Sequence, residues 1–124
     1  GGAETVIHCC APDLPLPLLR QTGAGLCTDT SLLTPRGWEG VALALEDGLR
    51  LYAGCVPTSS PPGASDLAAT LAEAWSRVGL EPRRLDDVVV TPACGLGTLT
   101  LPAARSISQT CIDTAAALTE RALA

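Results

Sequence analysis

The chain has 124 residues, with eight arginines and no lysine against 13 acidic side chains, one histidine and six cysteines, for a net charge of −5. A length of this order fits one domain, and an apolar share of 47% with a mean hydropathy of +0.30 excludes a disordered chain. The sequence pI near 4.6 and the scattered arginines exclude the basic stripe of a nucleic-acid binder and a polybasic membrane anchor, and no run reaches the roughly 18 apolar residues of a membrane helix.

In chain order, Thr5 to Cys9 reads as a strand ended by Pro12 and Asp13, and Pro15 to Gln21 as a short helix closed by Gly23. Leu26 to Asp29 is a second, shorter strand. Gly37 to Asp47 spaces Trp38, Val41, Ala42 and Leu45 as one helix face, stopped by Gly48. Leu49 to Val56 is a third strand, followed by a Pro- and Ser-rich loop to Gly63. Ser65 is the expected N-cap of a helix with Leu67, Leu71, Trp75 and Val78 on one stripe, ending at Gly79. Asp87 to Thr91 is a fourth strand, whose run of valines suits burial on both faces of a parallel sheet. Thr100 caps a last helix with Pro102 in its first turn, and Ala104, Ile107, Cys111, Ala115 and Leu118 on its apolar side.

Strands alternating with helices predict an α/β protein with a parallel sheet. The four βα units make half of a TIM (β/α)8 barrel, which in full takes about 250 residues. A small open α/β sandwich is the alternative. The stretch Gly1 to Cys10 lacks Met at its start and the basic-then-apolar pattern of a secretion signal, so we expect a piece of a longer chain. Six cysteines fall short of the ~8–10% of a disulfide scaffold, which points to a reducing, cytoplasmic setting.

Ligands of α/β proteins bind at the carboxyl ends of the strands, where this sequence places its polar and sulfur residues. His8 and Cys10 end the first strand, Asp29 the second, Thr58 and Ser59 follow the third, and Cys94 follows the fourth. A His-x-Cys pair with a distant third donor supplies the nitrogen and sulfur ligands that suit Zn²⁺. Cys9, Cys27, Cys55 and Cys111 read as small packed hydrophobes, and Asp29 can equally cap the turn into Ser31. With no lysine there is no phosphate-binding Gly-Lys-Ser/Thr loop and no Schiff-base amine. A metal-free cysteine enzyme, with Cys94 as nucleophile and His8 as base, is the competing chemistry.

The segments His8-Cys9-Cys10 and Thr91-Pro92-Ala93-Cys94-Gly95-Leu96 resemble the His-x-Cys and Asn-Pro-Asp-Cys-Gly-Leu elements of cobalamin-independent methionine synthase. Between them, Gly25 to Leu33 and Ala53 to Thr58 are similar to the short members of that family, so that the resemblance spans nearly the whole chain. It implies a C-terminal catalytic half-barrel, residues 1–124, as one partial domain. It also implies Zn²⁺ held by His8, Cys10 and Cys94, with Asp29 at the position where better-known members carry Glu. The implied reaction transfers a methyl group from 5-methyltetrahydrofolate to the thiol of homocysteine, forming methionine.

Two departures accompany the resemblance. Pro57-Thr58-Ser59-Ser60-Pro61 puts Ser59 where better-known members have a histidine associated with proton transfer, and the first half of the barrel lies outside this chain. We therefore expect the isolated chain to be inactive and its partner to be either the missing N-terminal half or a second copy. A non-catalytic zinc-holding half-barrel that self-associates is the reading from a different class of protein.

Overall fold

A computed structural model describes residues 6–8, 25–59, 61–93 and 95–124. Four strands, β1 (Val6–His8), β2 (Gly25–Thr28), β3 (Leu51–Val56) and β4 (Val89–Pro92), form one sheet in the order β1-β2-β3-β4, with every pairing parallel. Three α-helices follow in the chain: α1 (Pro35–Glu46), α2 (Ala64–Arg77) and α3 (Leu101–Leu123). The expected helix over 15–21, and the ends of the first strand at Thr5 and Cys9, lie outside the described residues.

The register sorts the strand residues into two faces. Ile7 pairs with Leu26 and Leu26 with Leu51, while Thr28 pairs with Ala53 and Ala53 with Val90. Leu26, Leu51 and Ala53 are buried in the main core with Trp38, Val41 and Leu45 of α1, Leu71 and Trp75 of α2, and Leu118 of α3; Ile7 and Val90 pack against it. The alternate row, His8, Cys27, Tyr52 and Val89, belongs to neither apolar cluster. The three helices therefore pack on one face of the sheet. Right-handed connections from β2 to β3 and from β3 to β4, in sequential strand order, keep α1 and α2 on a single side.

Local sequence explains where the helices begin and end. Thr34 accepts a hydrogen bond from the Gly37 amide at 3.0 Å, and Pro35 occupies the first turn, where its missing N–H costs nothing. Helix α1 thus starts two residues before the expected Gly37. Gly48 and Gly79, just beyond α1 and α2, have φ of +94° and +78°, the left-handed conformation that ends a helix. The expected Ser65 cap is corrected: Gly63 is the N-cap of α2, without a side-chain bond, and Ser65 lies inside the first turn. The extended backbone at Gly63 brings the chain out of Pro61-Pro62 directly into the helix, and Asp66 in the first turn complements its positive end.

Two further expectations change. Strand β4 begins at Val89 because residues Pro82–Asp87 wind into a 3₁₀ turn, which drives Leu85 into the core. That turn is anchored from two sides: Trp75 Nε1 donates to the Glu81 carbonyl at 2.9 Å, and Arg84 Nη2 donates to the Leu45 carbonyl, near the end of α1, at 2.6 Å. All four residues of β4 are half-buried rather than enclosed on both sides, since among the described residues the strand has one neighbour, β3, and helices on one face. On α3 the buried stripe runs Ile107, Cys111, Thr114, Leu118 and Ala122, so Thr114 takes the core position expected for Ala115. The 3.6-residue repeat advances three residues there, not four. Among the described residues, no helix is long and apolar enough to cross a membrane.

Candidate metal centre at the carboxyl rim of the sheet

The parallel strands bring their chemistry to one end. Asp29 follows β2, Pro57 to Ser59 follow β3, and Ala93 follows β4 immediately before Cys94. A cavity of about 220 Å³ opens there, lined by Asp29, Ser31, Gly54, Cys55, Thr58 and Ala93 among others. Ser59 also borders it, exposed to solvent. The Ala93 amide donates to the Val56 carbonyl at 2.9 Å, carrying the β3–β4 pairing past the end of β4.

His8 ends β1 and is the Cα partner of Cys27 on β2. Nδ1 of its ring lies 3.4 Å from Cys27 Sγ; the histidine is exposed and the cysteine half-buried. Two ligands of one tetrahedral zinc, at roughly 2.0–2.1 Å for nitrogen and 2.3 Å for sulfur, are themselves about 3.5 Å apart. An imidazole and a thiol at this separation fit a soft divalent ion in both donor type and spacing.

Asp29 is the N-cap of the 3₁₀ turn Thr30–Leu32. One carboxylate oxygen, Oδ1, accepts from the Ser31 amide at 3.0 Å and from the Ser31 hydroxyl at 2.6 Å. The capping alternative for this residue is thus present in the structure, with Oδ2 as the carboxylate's second donor atom. Cys10 and Cys94, the two thiols of the expected ligand set, lie outside the described residues, as does Cys9. Among the described residues, no three His, Cys, Asp or Glu side chains gather into a metal-holding group.

The remaining cysteines divide. Cys111 is buried on α3 and Cys55 is half-buried at the end of β3, and both touch the smaller cluster of Val56, Leu67 and Ile107. Burial pushes the Cys55 thiol up to about 11, with Cys111 and then Asp29 adding to the rise against a lowering backbone hydrogen bond. Burial likewise raises Cys111. A thiol held protonated is a poor metal ligand and nucleophile, so both behave as the packed residues the sequence suggests. Cys27 does not: its sulfur meets a histidine. The signal lay in the strand pattern, since His8 and Cys27 occupy equivalent heights on neighbouring parallel strands, but only the register discloses that height.

No protein-family model matches this chain, and neither a curated protein nor a solved structure shows significant similarity to it.

Proposed function

We propose that this chain is the C-terminal half of a TIM-type (β/α)8 barrel, a single partial domain resembling the catalytic part of cobalamin-independent methionine synthase. Its role in the full barrel is zinc-dependent transfer of a methyl group from 5-methyltetrahydrofolate to the thiol of homocysteine. The observation that supports this reading is the sequential parallel order of the four strands, with helices packed on one face and His8, Asp29 and Ala93 at the carboxyl ends of their strands. A doubly wound sheet reverses its order at a switch point and carries helices on both faces; a barrel wall does neither.

In this reading His8, Cys10 and Cys94 hold Zn²⁺, with Asp29 at the acidic position of the site. Zn²⁺ held there would lower the pKa of a coordinated substrate thiol, so that its proton leaves to solvent, and would keep the sulfur electron-rich enough to accept a methyl group. The chain's own residues hold and orient. Asp29 lies at the cavity wall with its carboxylate steadied by Ser31. As the new S–CH₃ bond forms and the N–CH₃ bond of the donor breaks, the released nitrogen needs a proton. Ser59 can offer a hydrogen bond at that place but does not titrate near neutrality, so water or a group of the missing half supplies it. Ligand thiols stay free only in a reducing compartment, which favours the cytoplasm.

Zinc content after purification under reducing conditions tests the reading. The expected result is about one Zn²⁺ per chain, lost in Cys94→Ser and kept in Cys55→Ser. A chain that binds no zinc, or a Cys94→Ser variant that keeps it, overturns the proposed site. Fast alkylation of Cys94 that zinc does not slow would instead support the metal-free cysteine enzyme.

A further inference from the structure

The cavity at the carboxyl rim is walled by one carboxylate and several hydroxyls. We propose that it binds a small molecule through a primary ammonium group, with Asp29 as the counter-charge and the hydroxyls of Ser31, Thr58 and Ser59 as the further acceptors. This goes beyond the methyl-transfer reading: it uses none of the thiols and holds whether or not the chain binds zinc.

The wall of the cavity sets the sign of the ligand's charge. The space, about 220 Å³, lies where β2, β3 and β4 end, the end of a parallel sheet at which α/β proteins bind their ligands. Among the described residues lining it, Asp29 alone carries a charged side chain, and the other oxygen-bearing side chains are the hydroxyls of Ser31, Thr58 and Ser59. Asp29 is half-buried, so a cation beside it is screened less than one on the open surface.

The hydrogen bonds of Asp29 select the kind of cation. Oδ1 accepts from the amide and the hydroxyl of Ser31, at 3.0 and 2.6 Å, which holds the carboxylate in place at the cavity wall. Oδ2 accepts no hydrogen bond from the described residues. A guanidinium pairs best with both oxygens of a carboxylate, and here Oδ1 is already taken. A quaternary ammonium has no N–H to donate and is held by aromatic faces, which the lining lacks. A hard divalent ion needs several oxygen ligands, and the described residues gather no group of three metal-binding side chains. A primary ammonium has three N–H donors and no acceptor, which matches one carboxylate oxygen with hydroxyl oxygens around it. The Ser31 hydroxyl has given its proton to Asp29, so its lone pairs remain to accept.

The test titrates the chain with propylammonium chloride at pH 7, with ionic strength held by sodium chloride and zinc content measured in the same sample. Backbone amide signals of Ser31, Gly54 and Ser59 are followed by NMR. Propanol, of the same size but uncharged, and potassium chloride are the comparisons. Propylammonium is expected to shift these signals saturably, and propanol to bind at least about 10-fold more weakly, the size of one hydrogen bond to a charged group. Asp29→Asn retains Oδ1, and asparagine caps as well as aspartate, so the urea midpoint should hold while propylammonium binding falls by a similar factor. Thr58→Val, which removes one hydroxyl, should weaken binding by a smaller factor. Equal affinity for propanol, equal shifts from potassium, or undiminished binding in Asp29→Asn each overturn the proposal, and so does the absence of any saturable shift. Zinc content is a separate measurement, so the methyl-transfer reading stands or falls apart from these outcomes.

Discussion

The carbonyl oxygen of Thr28 lies 3.0 Å from the point where a side chain on Gly54 would begin, with the Cα atoms of Asp29 and Ala93 each 3.4 Å from the same point. Three strand ends converge on one missing methyl group. Replacing Gly54 by Ala sets a carbon against two strands of backbone, which cannot rotate away as a flexible side chain can. We expect Gly54→Ala to cost about 1–3 kcal/mol of stability, as overpacking typically does. It should also push Asp29 and Ala93 apart. Urea denaturation reads the first effect and a fall in zinc affinity the second; an unchanged midpoint would show that the rim is softer than this packing indicates.

Thr114 on α3 is fully buried, and its hydroxyl has no hydrogen-bond partner among the described residues. Valine keeps the branched shape and has a similar helix propensity while removing an unsatisfied polar atom. Thr114→Val should stabilise the chain by about 1 kcal/mol, seen as a higher urea midpoint at unchanged slope. A loss of stability would mean the hydroxyl has a partner in solution.

Trp75 is 2% exposed and its Nε1 donates to the Glu81 carbonyl. Trp75→Phe removes that donor and leaves a void beside the turn that leads into β4. The expected loss is about 2–4 kcal/mol, combining a smaller side chain with an orphaned acceptor. Proteolysis near Arg83 and Arg84, in the native state, should quicken more than at other sites.

The raised Cys55 thiol makes stability depend on alkaline pH. Its ordinary value is 9.0 and its folded value about 11, so below pH 9 the group is neutral in both states and its contribution is complete. Between pH 9 and 11 the unfolded chain ionises first, and stability falls by as much as about 2–3 kcal/mol as pH rises through the folded value. Cys55→Ala should lose less stability than wild-type between pH 8 and 10.5, and the buried thiol should react with iodoacetamide slowly at pH 8. Equal pH dependence in both proteins would place the effect elsewhere.

Much of the architecture was legible in the residues themselves. The four strands, the three described helices, and the stops at Gly48 and Gly79 follow from short-range physics: apolar periodicity, the cap at Thr100, and backbone conformations that glycine alone adopts readily. The misplaced features were those in which local signals competed. Ser65 is a good cap in isolation, yet Gly63 after two prolines starts the helix first. Thr114 is polar, yet the turn of α3 carries it inside. Asp29 was readable as either ligand or cap, and its bonds to Ser31 make it a cap in this structure.

Sequence alone determined that strands and helices alternate here, and that His8 and Asp29 fall where strands end, because both depend on neighbours within a few positions. Tertiary structure decided that the strands pair in chain order, that the helices gather on one side, and that His8 meets Cys27 across 19 positions of chain. Pairing register is a cooperative outcome of burying one face of the whole sheet, so no single strand contains it.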